Sequence, residues 1–252
     1  GARFCRAPFL SDFFFPKTQV CRPIRMCIAM TEVAPPLCVA FDCDGVLANS
    51  ISSWKTLHDH FGTDSSELLK QFIAGELTDE EFMSLDIAMW KESKGEIHRD
   101  DIFRAYSGCK LMKGARDLVA DLKSNGTYVA IISAGVDLYV QSIAALVKAD
   151  DWVANGFEFD EEGWLLDEGI LRVPSKGKDG PILKLLEMID CPPERLISVG
   201  DSSMDLSMWV EGSKFIGFNP QRELAKQTFQ EAGVDIVNSN DLADLRPYLG
   251  LK

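Results

Sequence analysis

Three short apolar runs, Leu37-Cys-Val-Ala-Phe41, Tyr128-Val-Ala-Ile-Ile132 and Leu196-Ile-Ser-Val199, each break off into polar residues: Asp42-Cys-Asp-Gly45, Ser133-Ala-Gly135 and Gly200-Asp201. Runs that are apolar throughout, rather than alternating, belong to strands buried on both faces, as in a parallel sheet. Parallel neighbours need crossover connections, and helical patterns at 115–123, 137–147 and 181–190 supply them. Lys214-Phe-Ile-Gly-Phe218 and Val234-Asp-Ile-Val237 add two further predicted strands. The predicted fold class is therefore α/β, a doubly wound and mostly parallel sheet of Rossmann-like architecture.

Two stretches depart from this pattern. Residues 48–112 carry helical periodicity at 54–61, 65–74 and 78–90 with no convincing strand, and Thr78-Asp-Glu-Glu81 is a capping-box signature. An ordinary βα loop has about 2–6 residues, so this interval is read as a small helical cap domain inserted after the first strand, with 37–47 and 113–252 forming the core domain. Around Gly156 and Gly163, residues 151–173 suggest a β-hairpin or excursion at the sheet edge. Residues 1–36 form an amino-terminal extension. Its first thirty residues hold five basic side chains against the single acid Asp12, as in an organelle transit peptide; the alternative is upstream sequence ahead of a start at Met30.

The strand ends carry the chemistry. In an open α/β sheet ligands bind beyond the carboxyl ends of the strands, which gathers Asp42, Asp44, Ser133, Gly135, Asp201 and Asp205 in one crevice. Carboxylates so crowded repel one another unless a hard cation joins them, and an oxygen-only donor set points to Mg²⁺. A carboxylate can also attack phosphorus, while Ser133 and the turn amides near Gly135 could take phosphoryl oxygens. A lysine is then expected, and both Lys176 and Lys178 stand just before the 181–190 helix.

Asp42-x-Asp44-Gly-Val-Leu47, Ser133-Ala-Gly135, Lys178 and Gly200-Asp201-Ser-Ser-Met-Asp205, in this order, resemble the four motifs of the haloacid dehalogenase-like hydrolase superfamily. Met112-Lys-Gly-Ala-Arg116 and the segment from Ala154 to Gly163 look most like its phosphoserine phosphatase-like branch. The resemblance implies phosphomonoester hydrolysis, with Asp42 as nucleophile and Asp44 as general acid and then base. It further implies Mg²⁺ held by Asp42, the Asp44 backbone carbonyl and Asp201, metal-shell support from Asp205, and phosphate binding by Ser133, Gly135 and Lys178. Two positions depart from the branch: where an acid and an arginine would contact a phosphoserine substrate stand Ile51 and Asp86. A phosphatase for a sugar phosphate, phosphoglycolate or nucleotide is thus the alternative, and a non-catalytic binding module on the same fold is the reading from another class.

The remaining features read as structural. His58, His60, His98, Asp86 and Lys91 are assigned to solvated surface, Trp54, Phe61, Phe72 and Trp90 to the core of the 48–112 helices, and Cys43 to buried packing. Seven scattered cysteines with no CxxC pair fit neither a disulfide framework nor a zinc site. A net charge of −13 repels phosphate backbones and anionic lipid, so the expected partner is a small phosphorylated metabolite rather than nucleic acid or membrane. The chain is expected as a monomer or homodimer, cytoplasmic or, through a cleaved transit peptide, in an organelle.

Overall fold

The computed structural model describes residues 36–251, so the assignment of 1–36 lies outside the described residues except for Pro36. At the centre runs β1 (Cys38–Phe41), buried at every position. It pairs in parallel with β2 (Tyr128–Val136) on one side and β5 (Leu196–Gly200) on the other. Beyond β5 lie β6 (Lys214–Phe218) and β7 (Asp235–Val237), also parallel. The seven-stranded order is β4-β3-β2-β1-β5-β6-β7. Successive side chains of β1 divide between two cores: Val39 and Phe41 join one, Cys38 and Ala40 the other. The strand must therefore be apolar at both parities, and the sheet is covered on both faces as expected.

Helices α5 (Ala115–Ser124) and α6 (Asp137–Val147) bury Leu118, Leu122, Val140 and Ile143 in the first core. Helices α7 (Asp179–Met188) and α8 (Glu223–Ala232) bury Ile182, Leu186 and Phe229 in the second. The expected excursion at 151–173 is a hairpin of β3 (Asp151–Phe159) and the antiparallel edge strand β4 (Leu165–Ile170). It does more than decorate the edge, since β3 also pairs in parallel with β2 from Ala130↔Asp151 onward.

The 48–112 interval contains α1 (Ser53–Phe61), α2 (Ser66–Ala74), α3 (Asp79–Lys94) and α4 (Arg99–Ala105), the last of which the apolar pattern did not reveal. Thr78 and Glu81 form the predicted capping box at the start of α3. Trp90, Phe61 and Phe72 are buried among these helices, as anticipated.

Two assignments to solvated surface are overturned. His58 and Asp86 are both buried, with His58 Nε2 at 3.1 Å from Asp86 Oδ1. The Trp90 indole N–H donates to His58 Nδ1 at 3.1 Å, and Thr63 Oγ1 lies 2.7 Å from the same nitrogen. A nitrogen that accepts cannot carry the proton, so the ring proton sits on Nε2, the nitrogen nearer the Asp86 carboxyl. Burial raises the Asp86 pKa, and His58 opposes that rise. Lys91 is half-buried and paired with Asp167 of β4 at 2.5 Å, whereas His60 is exposed as expected.

Removing one partner of a buried polar pair costs more than removing both. His58→Ala should lower stability by about 3 kcal/mol, and the double change His58→Leu with Asp86→Leu should recover most of that loss in urea denaturation.

Candidate active site

The site begins where β1 stops. Asp42 N–H still donates to Val199 O at 2.9 Å, and the chain then turns back tightly, the Cys43 carbonyl accepting from the amides of Leu47 and Ala48 at 3.0 and 2.9 Å. Gly45 makes this turn possible with a φ of +75°, and a Cβ there would stand 2.4 Å from Asp201 Oδ2. The turn thus lies directly against the end of β5. Asp42, Asp201 and Asp205 each bring a carboxylate oxygen to within 4.8 Å of one another.

Of the two candidate lysines, Lys178 occupies this cluster. Its ammonium, buried, donates to Asp42 Oδ1 at 2.7 Å, to Asp205 Oδ1 at 2.6 Å and to Ile132 O at 3.4 Å. Burial opposes its charge, but Asp205 and Asp42 outweigh burial and hold its pKa above the ordinary value. Lys176 instead lies over the Phe72 ring of α2, 6.0 Å from its centroid. Asp205 is fully engaged, because its second oxygen accepts from the amides of Asp201 and Ser202 at 3.1 and 2.9 Å and from Ser202 Oγ at 2.9 Å.

Asp42, bonded to Lys178 alone, and Asp201 have less compensation than Asp205. Burial first, partly offset by Lys178 and reinforced by Asp205, pushes Asp42 up to about 7. Burial, Asp205 and Asp42 together push Asp201 up to about 9. The Cys43 thiol, buried between Asp42 and Asp44 as expected, is raised well above its usual value by desolvation and by both acids.

Asp44 shares the turn but directs its carboxylate elsewhere. Oδ1 accepts from Ser50 Oγ at 2.7 Å, and Oδ2 from the Ser53 amide at 2.9 Å and Ser53 Oγ at 2.7 Å. Burial raises its pKa, and these donors moderate the rise. The carboxylates that converge therefore include Asp205 rather than Asp44. Ser133 is buried on β2, and its Oγ accepts from the Gly135 amide at 3.1 Å. A Cβ at Gly135 would come 2.5 Å from Ser53 Oγ and 2.8 Å from Asp44 Oδ2, which accounts for the glycine. All the residues assigned from sequence thus meet at the ends of β1, β2 and β5. Sequence reasoning missed Ser50 and Ser53, whose hydroxyls resemble ordinary helix-start serines; Ser52 beside them is the N-cap of α1.

The family model for haloacid dehalogenase-like hydrolase matches residues 39–209, most of the described chain. The chain belongs to that family. Among characterised relatives, a phosphoserine phosphatase of Archaeoglobus fulgidus is 25% identical over 84% of this chain, which spans 60% of that protein's length. A phosphoserine phosphatase of Idiomarina loihiensis is 25% identical over 82% of this hydrolase-family chain and 90% of its own. Among solved structures, a substrate-bound phosphoserine phosphatase complex superposes with a TM-score of 0.71 at 21% identity, covering 86% of this chain and 99% of that one. A phospho-aspartyl intermediate analogue of phosphoserine phosphatase gives the same score, covering 86% and 100%. These likenesses establish the mostly parallel α/β fold of the family.

Lys178→Met leaves Asp42 and Asp205 buried face to face without a cation, so urea denaturation should show a loss of about 3 kcal/mol. Lys176→Met, which removes an exposed cation–π contact, should change stability by at most about 1 kcal/mol.

Proposed function

We propose that this chain is a Mg²⁺-dependent phosphatase that hydrolyses a small phosphomonoester through an aspartyl-phosphate, with phosphoserine as the first candidate substrate. The observation that carries this reading is the cluster of carboxylates from buried Asp42 and Asp205 and half-buried Asp201, with Lys178 bonded into it. The donor set is all oxygen, and burial first, then the crowding of like charges, raises the pKa values of Asp42 and Asp201, so a hard divalent ion fits. Asp42, the Asp44 carbonyl and Asp201 would hold it, with Asp205 behind them because its oxygens are already taken. When bound, the ion would polarise phosphoryl oxygens and offset repulsion between the ester and the carboxylates.

An Asp42 Oδ attacks phosphorus, forming the acyl-phosphate bond as the P–O bond to the alcohol breaks. Asp44, whose pKa burial raises, gives a proton to the leaving oxygen. The resulting carboxylate then takes a proton from water as that water attacks phosphorus, which frees orthophosphate and restores Asp42. Ser133, the Gly135 amide and Lys178 hold the phosphoryl oxygens, and the 48–112 helices act as the cap that closes over the ester. The same reading has a monomer or homodimer acting in the cytoplasm, or in an organelle if residues 1–36 are a transit peptide.

One observation favours a different ester. Ile51 is 73% exposed, and Asp86 is spent on His58 inside the helices, so neither offers the amino-acid contacts of the phosphoserine branch. A sugar phosphate, phosphoglycolate or nucleotide is the second reading.

Phosphate release from a panel of L-phosphoserine, phosphoglycolate, sugar phosphates and nucleotides, with Mg²⁺ and with EDTA, separates the two. Asp42→Asn should leave the protein folded and reduce turnover by at least about a thousandfold; full activity would remove the assigned nucleophile. A second prediction follows from proton linkage. Asp42 and Asp201 hold protons in the fold at pH values where the unfolded chain has ionised, so the metal-free protein should lose stability as pH rises from about 4 toward about 9. Mg²⁺ binds the ionised form, so the rise it causes in melting temperature should be larger at about pH 8 than at about pH 5. A rise independent of pH would count against these carboxylates as its ligands.

A further inference from the structure

The register between β2 and β3 slips between Ile132 and Val136, within the Ser133-Ala-Gly135 segment. At this irregularity the Ala134 carbonyl accepts from two side chains, the Trp54 indole N–H at 3.0 Å and Asn155 Nδ2 at 3.1 Å. A trans peptide is planar, with its carbonyl and the following N–H antiparallel, so two donors on the carbonyl fix where the Gly135 N–H points. That N–H is directed at Ser133 Oγ, on the opposite side of the peptide from Trp54. Asn155 is held in turn: it also donates to Val173 O and accepts from the amides of Arg172 and Val173.

Trp54 has its own supports. Its ring stacks on Trp90 with centroids 6.0 Å apart and meets Phe157 edge-on at 5.5 Å. It follows Ser53, which holds Asp44, so consecutive residues at the start of α1 fasten two different parts of the site. Packing alone would be met by any large aromatic; the indole N–H aimed at a strand-end carbonyl is what only tryptophan supplies.

We propose that Trp54 is a positioning residue for phosphoryl recognition: through the Ala134 carbonyl it sets the orientation of the Gly135 amide and, with it, the Ser133 hydroxyl. This rests on the phosphatase reading of the site. Trp54 touches no phosphoryl oxygen and acts only through the peptide.

The test compares the full chain with Trp54→Phe and with a variant carrying β-(3-benzothienyl)alanine at position 54, which keeps the bicyclic shape and replaces only the N–H. Inorganic phosphate is titrated calorimetrically in the presence of Mg²⁺, and kcat is measured on the preferred ester. Both variants should bind phosphate about tenfold more weakly and lose a similar factor in kcat, the scale of one hydrogen bond. Melting temperature and Mg²⁺ affinity of the benzothienyl variant should match the parent. If Trp54→Phe fails to fold, the benzothienyl variant decides alone. Phosphate affinity and kcat equal to the parent's, with or without a change in melting temperature, would overturn the inference. A parent that neither binds phosphate nor releases it from any ester would instead overturn the phosphatase reading.

Discussion

A single ammonium group makes the arrangement at the strand ends tolerable. Lys178 is bonded to Asp42 and Asp205 below the surface, and without it β1 and the turn after β5 would bring buried anions together with nothing between them. The geometry that delivers the lysine is therefore as much a part of the site as the acids. It comes from the start of α7, whose apolar stripe of Ile182, Leu185 and Leu186 is anchored in the core under β1 and β2. One cation cannot neutralise three clustered carboxylates, and burial together with Asp205 and Asp42 raises the proton affinity of Asp201. That residual field is what suits the site to a further positive ion.

The fold was legible where burial imposes a simple rule. Strands β1, β2 and β5 have no polar face, so their positions and their reactive ends could be read directly from the chain, and helical patterns marked the crossovers α5 through α7. The rule fails where polar groups are buried beside one another. His58 and Asp86 lie on different helices, and nothing in either local sequence reveals that they meet beside Trp90. The hairpin was visible through its glycines, but the parallel pairing of β3 with β2 was not, because that pairing depends on the path of α6 between them.

The site was legible to a similar depth. Asp42, Asp44, Ser133, Gly135, Asp201 and Asp205 sit at the ends of recognisable strands, so topology alone gathers them. The residues by themselves left Lys176 and Lys178 both open and only the family resemblance pointed to Lys178; in the structure two residues of separation send that ammonium into the acids and the other over Phe72. The orientation of the Asp44 carboxylate was equally hidden: Ser50 and Ser53 reach it from the start of the inserted helices, and such serines look like ordinary caps.

The segment that carries Lys178 is also fastened to the inserted helices. Ser175, through its amide and hydroxyl, bonds Asp79 at the first turn of α3 at 3.0 and 2.6 Å, three residues before Lys178. Lys176 leans on α2 in the same stretch. The segment that carries the ammonium is therefore tied at two points to the inserted helices, so a change in how α2 and α3 pack bears on how Lys178 is held among the acids.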